Sequence, residues 1–256
     1  MRTLLLLAML LALPAQAAVT PANQAPPLPV LAEIAPPAHV LVAPAPHGEA
    51  KDVYLPAGAL SPELLPSPPA EGSKAHKKQL AQVRAAQKNV SADAMTGLLN
   101  EDVESSETLI AVIGEGFTAT AYPKTFALLQ KTEDTGVAAT KKAKKFWQAR
   151  RPHLVDKKIK LLLPPKDRGG SYPSGHTSVN HLLAEVLGLL FPEKRGVLRE
   201  RASEIAWHRV QAGVHYPVDL EGGRTLAAIM LGSLLNDEEF QNDLSAAAAE
   251  VAAPVR

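Results

Sequence analysis

The amino-acid sequence predicts an all-α, single-domain helical bundle, and three observations support that prediction. From residue 73 onward the apolar residues recur at helical spacing, and the β-branched alternation typical of strands is nearly absent. Pro123, Pro192 and Pro217 each stand where a helix can begin, since the first helical residue has no intrahelical N–H bond to lose. The late apolar run Thr225–Leu235 is far shorter than the roughly 20 residues that span a bilayer, so we expect no stable membrane insertion.

The elements follow from the sequence in order. Residues 1–17 show a positive start, an apolar run and a small-residue cleavage site, which predicts a secretory signal peptide and a periplasmic protein. Residues 18–50 are rich in proline, which fixes φ and removes donors, so we expect an extended or disordered tail. Residues 51–256 form the helical domain. Its predicted helices are Lys74–Lys88, Ala92–Asn100, Glu104–Ile113, Pro123–Arg150, Ser174–Leu190, Glu193–Ala212, Pro217–Leu235 and Glu238–Ala252.

Composition excludes several classes of protein. The formal net charge is +1, so the chain lacks the broad basic field that nucleic-acid binding uses. The chain has no cysteine, which excludes a lipoprotein anchor and means that an exported fold must be stabilised by its core without disulfides. We therefore expect small-molecule partners and no nucleic acid.

Three cations continue the apolar stripes of two predicted helices. Steps of three, four and seven along the Pro123–Arg150 helix lead on one face to Lys144 and then to Arg151. The stripe that begins at Leu198 leads in the same way to Arg209. Such side chains can pack their stems and extend their charged ends to solvent. Three inward cations, however, each cost several kcal/mol to desolvate unless they meet an anion or carboxylates, so we expect a bound anion.

A histidine and an aspartate follow the helix that carries Arg209. Gly213 closes that helix, His215 comes two residues later, and Asp219 lies four residues after His215. If this turn is helical, the carboxylate can accept the Nδ1–H of the imidazole and leave Nε2 as a nucleophile or base. Such a pair alone is weak evidence, because the same spacing occurs in surface ion pairs and caps.

The stretch GGSYPSGHTS supplies a second part of the candidate site. Its glycines and proline make a turn that leads directly into a helical pattern. Backbone N–H groups of Ser174, Gly175 and His176 at a helix start would form an anion-binding nest, assisted by the helix dipole. Glycine suits this position because a Cβ would obstruct close approach to a ligand. We expect a phosphate here, with His176 beside it.

Together these residues resemble the three-part signature of the phosphatidic acid phosphatase type 2 superfamily, which also includes vanadium haloperoxidases. The soluble branch, the bacterial class A non-specific acid phosphatases, is most similar, since a signal peptide, DVYLP, GSYPSGHTS and a helical C-terminal tail recur in it. The resemblance covers roughly residues 52–241. The matching motifs are Lys144 with Arg151-Pro152, Pro173–His176, and Arg209 with His215 and Asp219.

The resemblance implies a secreted acid phosphatase of broad specificity for phosphate monoesters, with no metal and no cofactor. Lys144, Arg151 and Arg209 would hold the phosphate oxygens, with Ser174 and Gly175 as further donors. His215 would attack phosphorus to form a phosphohistidine and would be oriented by Asp219. His176 would protonate the leaving alkoxide and then activate water. The resemblance also suggests a homodimer.

One residue departs from the signature, whose third motif usually begins with serine before the arginine. Here His208 precedes Arg209. An imidazole in place of a hydroxyl can change the hydrogen bonding of the phosphate pocket or its pH response, and we expect it to be tolerated. Alternative functions are a catalytically weak phosphate-binding protein, or a phosphatase of lipid or diphosphate substrates. A serine hydrolase is disfavoured because the sequence around Ser174 does not contain the Gly-x-Ser-x-Gly motif. A zinc site is disfavoured because the sequence shows no closed set of ligands and three cations would repel the metal. Five other histidines are expected to be structural or exposed: His39, His47, His76, His153 and His181.

Overall fold

The computed structural model describes residues 53–56, 59–101, 106–165 and 169–253, all within Pro44–Arg256, the larger of two units of the chain. The predicted signal peptide (1–17), the whole of the tail (18–50) with His39 and His47, and residue 104 lie outside these described residues. Within them the fold is helical and has no strand. The helices are α1 Lys74–Ala86, α2 Ala92–Asn100, α3 Glu107–Ile113, α4 Pro123–Trp147, α5 Pro152–Val155, α6 Gly175–Leu190, α7 Arg195–Gln211, α8 Pro217–Leu234 and α9 Glu238–Ala252.

Helix α6 is the centre of the bundle. Thirteen of its sixteen residues are buried, which is the pattern of a helix surrounded by others. It packs against α4, α7 and α8, while α9 covers α4, and α1, α2 and α3 lie against α7. The all-α prediction is confirmed. In the part of the chain that the structure describes, no helix is long and apolar enough to cross a membrane.

Two adjacent glycines allow α8 to approach the turn before α6. A Cβ at Gly222 would lie 2.4 Å from the Tyr172 ring, and one at Gly223 would lie 2.7 Å from Thr177 Cβ. Neither approach is compatible with a larger residue, because real Cβ contacts do not occur below about 3 Å. The Ser174 amide donates to the carbonyl oxygen of Asp219 at 3.0 Å. The start of α6 and the start of α8 are thus held together.

Several helix ends differ from the prediction by one to three residues, and the differences around α4 and α7 affect the candidate site. Helix α4 ends at Trp147 rather than Arg150, because Gln148 adopts a left-handed conformation (φ 48°). Arg151 therefore lies beyond α4, as the N-cap of the short helix α5, which the sequence analysis did not predict. A 3₁₀ turn over Pro192–Lys194 precedes α7, whose first residue is Arg195 rather than Glu193.

Helix α7 ends in a Schellman motif that leads directly to His215. Gly213 has φ 75°, its N–H donates to Val210 O, and the Val214 N–H donates to Arg209 O. A Cβ at Gly213 would also lie 2.4 Å from the carbonyl oxygen of Lys160, so glycine is required here for space as well as for conformation. The motif fixes the distance between Arg209 and His215, whose N–H donates to Arg209 O at 3.2 Å.

Candidate active site

The start of α8 holds an imidazole against a carboxylate. His215 precedes the helix and Asp219 is its third residue, so one helical turn brings the two side chains together. His215 Nδ1 donates to Asp219 Oδ2 at 3.0 Å, and both residues are buried, with 2% and 1% of their surfaces exposed. The predicted His–Asp pair is therefore formed, and Nε2 is the nitrogen that carries the lone pair.

Burial and surrounding charge keep the His215 imidazole neutral. Its pKa lies well below the ordinary value, first because the ring is fully buried and then because Arg151, Lys144, Arg209 and His176 add positive charge around it. Five predicted residues thus share one electrostatic neighbourhood. A neutral imidazole in acid solution retains the lone pair that nucleophilic attack requires.

Neutral donors surround the Asp219 carboxylate. Besides His215, the Ser171 hydroxyl donates to Oδ2 at 2.5 Å and the Tyr216 amide donates to it at 2.9 Å. Burial raises the pKa of Asp219 to about 6, although these two hydrogen bonds and the charges of Arg151 and Lys144 act in the opposite direction. The sequence analysis did not assign Ser171 a role, because nothing local indicates that it meets a residue 48 positions away.

The Arg151 guanidinium lies next to the His215 ring of the His215–Asp219 pair. Its Nε donates to the carbonyl oxygen of Gly169 at 3.0 Å, and its Nη1 donates to that of Val214 at 2.8 Å. The same Nη1 lies 3.1 Å from His215 Nε2, which accepts from it. The predicted nucleophilic nitrogen therefore faces a guanidinium, and an anion held by Arg151 would lie next to that nitrogen.

The remaining two predicted cations occupy the ends of α4 and α7. Arg209 is 1% exposed and is the largest of the fully buried side chains. Its Nη1 donates to the carbonyl oxygen of Glu101 at 3.1 Å. Lys144 is half-buried in the last turn of α4, and its charge acts on both His215 and Asp219. Both cations thus point inward, as the apolar stripes predicted.

The turn before α6 differs in one respect from the predicted amide nest. Ser174 is the N-cap, so its Oγ accepts from the Thr177 amide, and its own N–H donates to Asp219 O. The Ser174 amide is therefore engaged in joining α6 to α8, and only its hydroxyl hydrogen remains to meet a phosphate. Gly175 and His176 are the first two helical residues, where amides have no partner within the helix. The sequence could not indicate this pairing across 45 residues.

His208 turns away from His215 and toward α2. Its Nδ1 donates to Glu101 Oε2 at 2.6 Å, and Arg201 Nη2 donates to Glu101 Oε1 at 2.5 Å. Glu101 is 2% exposed and His208 is 5% exposed. Burial raises the pKa of Glu101, but the hydrogen bonds and charges of His208 and Arg201 outweigh it, so the pKa lies below its ordinary value. The histidine that replaces the usual serine thus shares a buried carboxylate with Arg201, beside Arg209.

Two other described histidines make hydrogen bonds to neighbouring parts of the fold, His76 and His153. His76 lies in α1, where its Nδ1 accepts from the Gly72 amide and its Nε2 lies 3.1 Å from the Tyr216 hydroxyl. His153 Nδ1 donates to the carbonyl oxygen of Gly213 at 2.9 Å. In the described ranges no group of three or more His, Cys, Asp and Glu side chains is arranged to hold a metal ion.

A comparison with known families finds a match to the part of the chain that contains this site. Residues 133–242 match the family described as the PAP2 superfamily, and this span contains all eight predicted site residues. The matched span is less than half of the 256-residue chain. It begins within α4 and ends within α9, so it includes α6, α7 and α8.

Curated proteins that are similar to this chain carry phosphatase names. A protein of Salmonella typhi named non-specific acid phosphatase is 33% identical over 156 residues, 57% of this chain and 62% of its own length. One of Providencia stuartii with the same name is 32% identical over 49% and 52% of the two chains. An acid phosphatase of Zymomonas mobilis is 30% identical over 49% and 47%. The similarity thus spans about half to three fifths of each relative.

Proposed function

We propose that this protein is an exported acid phosphatase that hydrolyses phosphate monoesters through a phosphohistidine on His215, without a metal. The observation that carries the proposal is the position of the His215 ring, with Nδ1 on Asp219 and Nε2 facing the Arg151 guanidinium. The names of the relatives and the PAP2 match support the class of reaction.

Substrate binding would place the phosphoryl group among the three cations. Arg151 and Arg209 are buried, so their charges act in a low dielectric, and Lys144 adds a third from α4. Phosphoryl transfer needs mainly positioning and stabilisation of charge on the phosphoryl oxygens, which these cations and the amides at the start of α6 provide.

The chemistry would proceed in two steps on two imidazoles. In the first step the lone pair of His215 Nε2 forms a bond to phosphorus, the bond from phosphorus to the ester oxygen breaks, and His176 gives its proton to the departing alkoxide. In the second step neutral His176 takes a proton from water, whose oxygen attacks phosphorus and releases His215 and inorganic phosphate. Asp219 holds the His215 tautomer throughout and stabilises its charge.

An acidic pH optimum follows from these roles. His176 must be protonated while His215 is neutral and Asp219 is ionised. The depressed pKa of His215 keeps that ring neutral in acid solution, and the pKa of Asp219, about 6, places the optimum in mildly acidic solution. The cluster recognises the phosphoryl end that all monoesters share, so we propose broad specificity over nucleotide and sugar phosphates. A periplasmic location and a homodimer remain part of the proposal, on the evidence of the leader and of the resemblance.

Hydrolysis of p-nitrophenyl phosphate tests this function. The wild-type protein with EDTA should release p-nitrophenol in acid buffer, and His215→Ala should abolish the release. The control is His181→Ala. His181 is a histidine of α6 outside the predicted site, and its charged neighbours include Arg224 and Glu185. Wild-type protein that binds phosphate without turning over any monoester would instead be a phosphate-binding protein, and activity that EDTA removes would contradict metal independence.

A further inference from the structure

The end of helix α2 contacts three side chains of α7 through one residue, Glu101. Its two carboxylate oxygens accept from Arg201 and His208, and its backbone carbonyl oxygen accepts from Arg209 Nη1 at 3.1 Å. Arg201 and His208 are seven residues apart and so lie on the same face of α7. Arg209 is next to His208 and points toward the cluster around His215.

The helix face opposite His208 is shaped to accommodate its ring. Gly97 lies one turn before Glu101 in α2, and a Cβ there would be 2.9 Å from His208 Cε1 and 3.3 Å from its Nδ1. A larger residue at position 97 would therefore force a shift of the imidazole or of α2. Three positions, on two elements more than 100 residues apart, are therefore matched to one another: Gly97, Glu101 and His208.

Charge holds the cluster together under the conditions of the proposed reaction. The Glu101 carboxylate is buried, yet His208 and Arg201 keep its pKa below the ordinary value, so it stays ionised in mildly acidic solution. Arg201 also donates to Glu204 on its own helix. A buried carboxylate with two charge-assisted hydrogen bonds has a fixed position, and so does the peptide carbonyl attached to it.

We propose that Glu101 is a positioning residue for the phosphate site: clamped by His208 and Arg201, it holds its carbonyl oxygen where it fixes the guanidinium of Arg209. The proposal rests on the proposed function, in which Arg209 contacts the phosphoryl group. It assigns a role to α2, which lies outside the matched PAP2 span of residues 133–242. It also explains why a histidine serves at position 208.

Two explanations of the Glu101 carboxylate predict effects of opposite sign. If it acted only through its negative charge, it would oppose anion binding, and Glu101→Gln would tighten phosphate binding. If it positions Arg209, the same substitution weakens binding because the guanidinium loses its fixed geometry. The sign of the change in phosphate affinity therefore separates positioning from simple electrostatics.

Calorimetric titration with inorganic phosphate measures this sign without any need for turnover. We expect Glu101→Gln to raise the dissociation constant about tenfold, with a matching rise in the KM for p-nitrophenyl phosphate, because a charge-assisted clamp is lost. His208→Ser, which leaves Arg201 on Glu101, should weaken binding in the same direction but less. The control is Glu185→Gln, which breaks the pair between Glu185 of α6 and Arg199 of α7 and should leave phosphate affinity unchanged.

The outcomes distinguish the inference from the function on which it rests. Unchanged or tighter phosphate binding in folded Glu101→Gln and His208→Ser would overturn the positioning role. Equal weakening in Glu185→Gln would also overturn it, since the effect would then be a general loosening of α7. Wild-type protein that fails to bind phosphate would refute the proposed function itself. If Glu101→Gln does not fold, as judged by circular dichroism, His208→Ser carries the test alone.

Discussion

Two buried carboxylate–imidazole pairs flank Arg209, and the pKa values of their carboxyl groups move in opposite directions. In one pair His215 Nδ1 donates to Asp219 at 3.0 Å, and burial raises the pKa of Asp219 to about 6. In the other pair His208 Nδ1 donates to Glu101 at 2.6 Å, and the pKa of Glu101 falls below its ordinary value.

The difference arises from the remaining hydrogen-bond donors. Glu101 has a formal cation in contact, Arg201, while Asp219 has a hydroxyl from Ser171 and a backbone amide. A carboxylate in contact with a guanidinium is held as an ion, which suits a structural clamp. A carboxylate held by neutral donors stays responsive to its imidazole, which suits a group that must stabilise charge appearing on His215. The two pairs have similar geometry, but their neighbouring donors suit one to a structural role and the other to catalysis.

The largest expected effect comes from making the same chemical change in both pairs. Asp219→Asn should reduce kcat for p-nitrophenyl phosphate by about 10³-fold or more, because the amide no longer fixes the His215 tautomer or stabilises its charge. Glu101→Gln should reduce kcat/KM only about tenfold, since it acts through Arg209. Steady-state kinetics of the two variants measure both losses. Losses of equal size would contradict the different roles assigned to Asp219 and Glu101.

The pH dependence of stability should differ in sign between the pairs. Asp219 binds its proton more tightly in the folded state, so lowering the pH from 7.5 to 4 should stabilise wild type relative to Asp219→Asn by about 2.5 kcal/mol. Glu101 has a depressed pKa, so the advantage of wild type over Glu101→Gln should be constant above about pH 4.5 and be lost below it. Urea unfolding of the three proteins at several pH values measures both trends. Parallel trends would contradict this assignment of charge states.

Removing a neutral donor should have an intermediate effect. Ser171→Ala deletes the hydroxyl that donates to Asp219, and we expect kcat/KM to fall about tenfold while the fold persists. Ser233→Ala is the matched control, because its hydroxyl bonds only within α8, to Ile229 O. Equal activity of Ser171→Ala and wild type would show that the position of Asp219 does not depend on this contact.

The smallest expected effect is that of Gly97→Ala on stability, whose sign should depend on the residue at position 208. Gly97→Ala should destabilise wild type by about 1 kcal/mol, because its Cβ would lie 2.9 Å from the imidazole. In a His208→Ser background the same change should stabilise by up to about 1 kcal/mol, through helix propensity alone. Gly232→Ala in α8, where nothing lies within 4 Å of an added Cβ, should stabilise both backgrounds. Thermal unfolding of the single and double variants measures this change of sign. If the sign does not change, the requirement for glycine at position 97 does not depend on the His208 ring.

The sequence predicted most of the helices because their signals are local. Pro123 and Pro217 begin α4 and α8, and apolar spacing indicated the remaining bounds to within a few residues. The end of α4 was predicted three residues too late, because a left-handed Gln148 leaves no clear signal in the sequence. The structure brings His215, Asp219 and the cations together as their spacing suggested.

What the sequence could not provide were partners distant along the chain. Ser171 reaches Asp219, the Ser174 amide reaches the Asp219 carbonyl, and Glu101 reaches His208 across 107 positions. Each of these contacts depends on how α2, α7 and α8 pack, and side-chain type alone does not specify it. His208 was recognised from the signature as unusual, but its partner became visible only in the fold.

Chemical trapping of the covalent intermediate tests the central claim most directly. Wild-type protein mixed with a ³²P-labelled monoester and rapidly denatured should retain label on His215, stable to alkali and released by acid, as expected for a phosphoramidate bond. His215→Ala should retain none. Turnover by wild type with no labelled protein at any quench time, or label on a residue other than His215, would contradict the account.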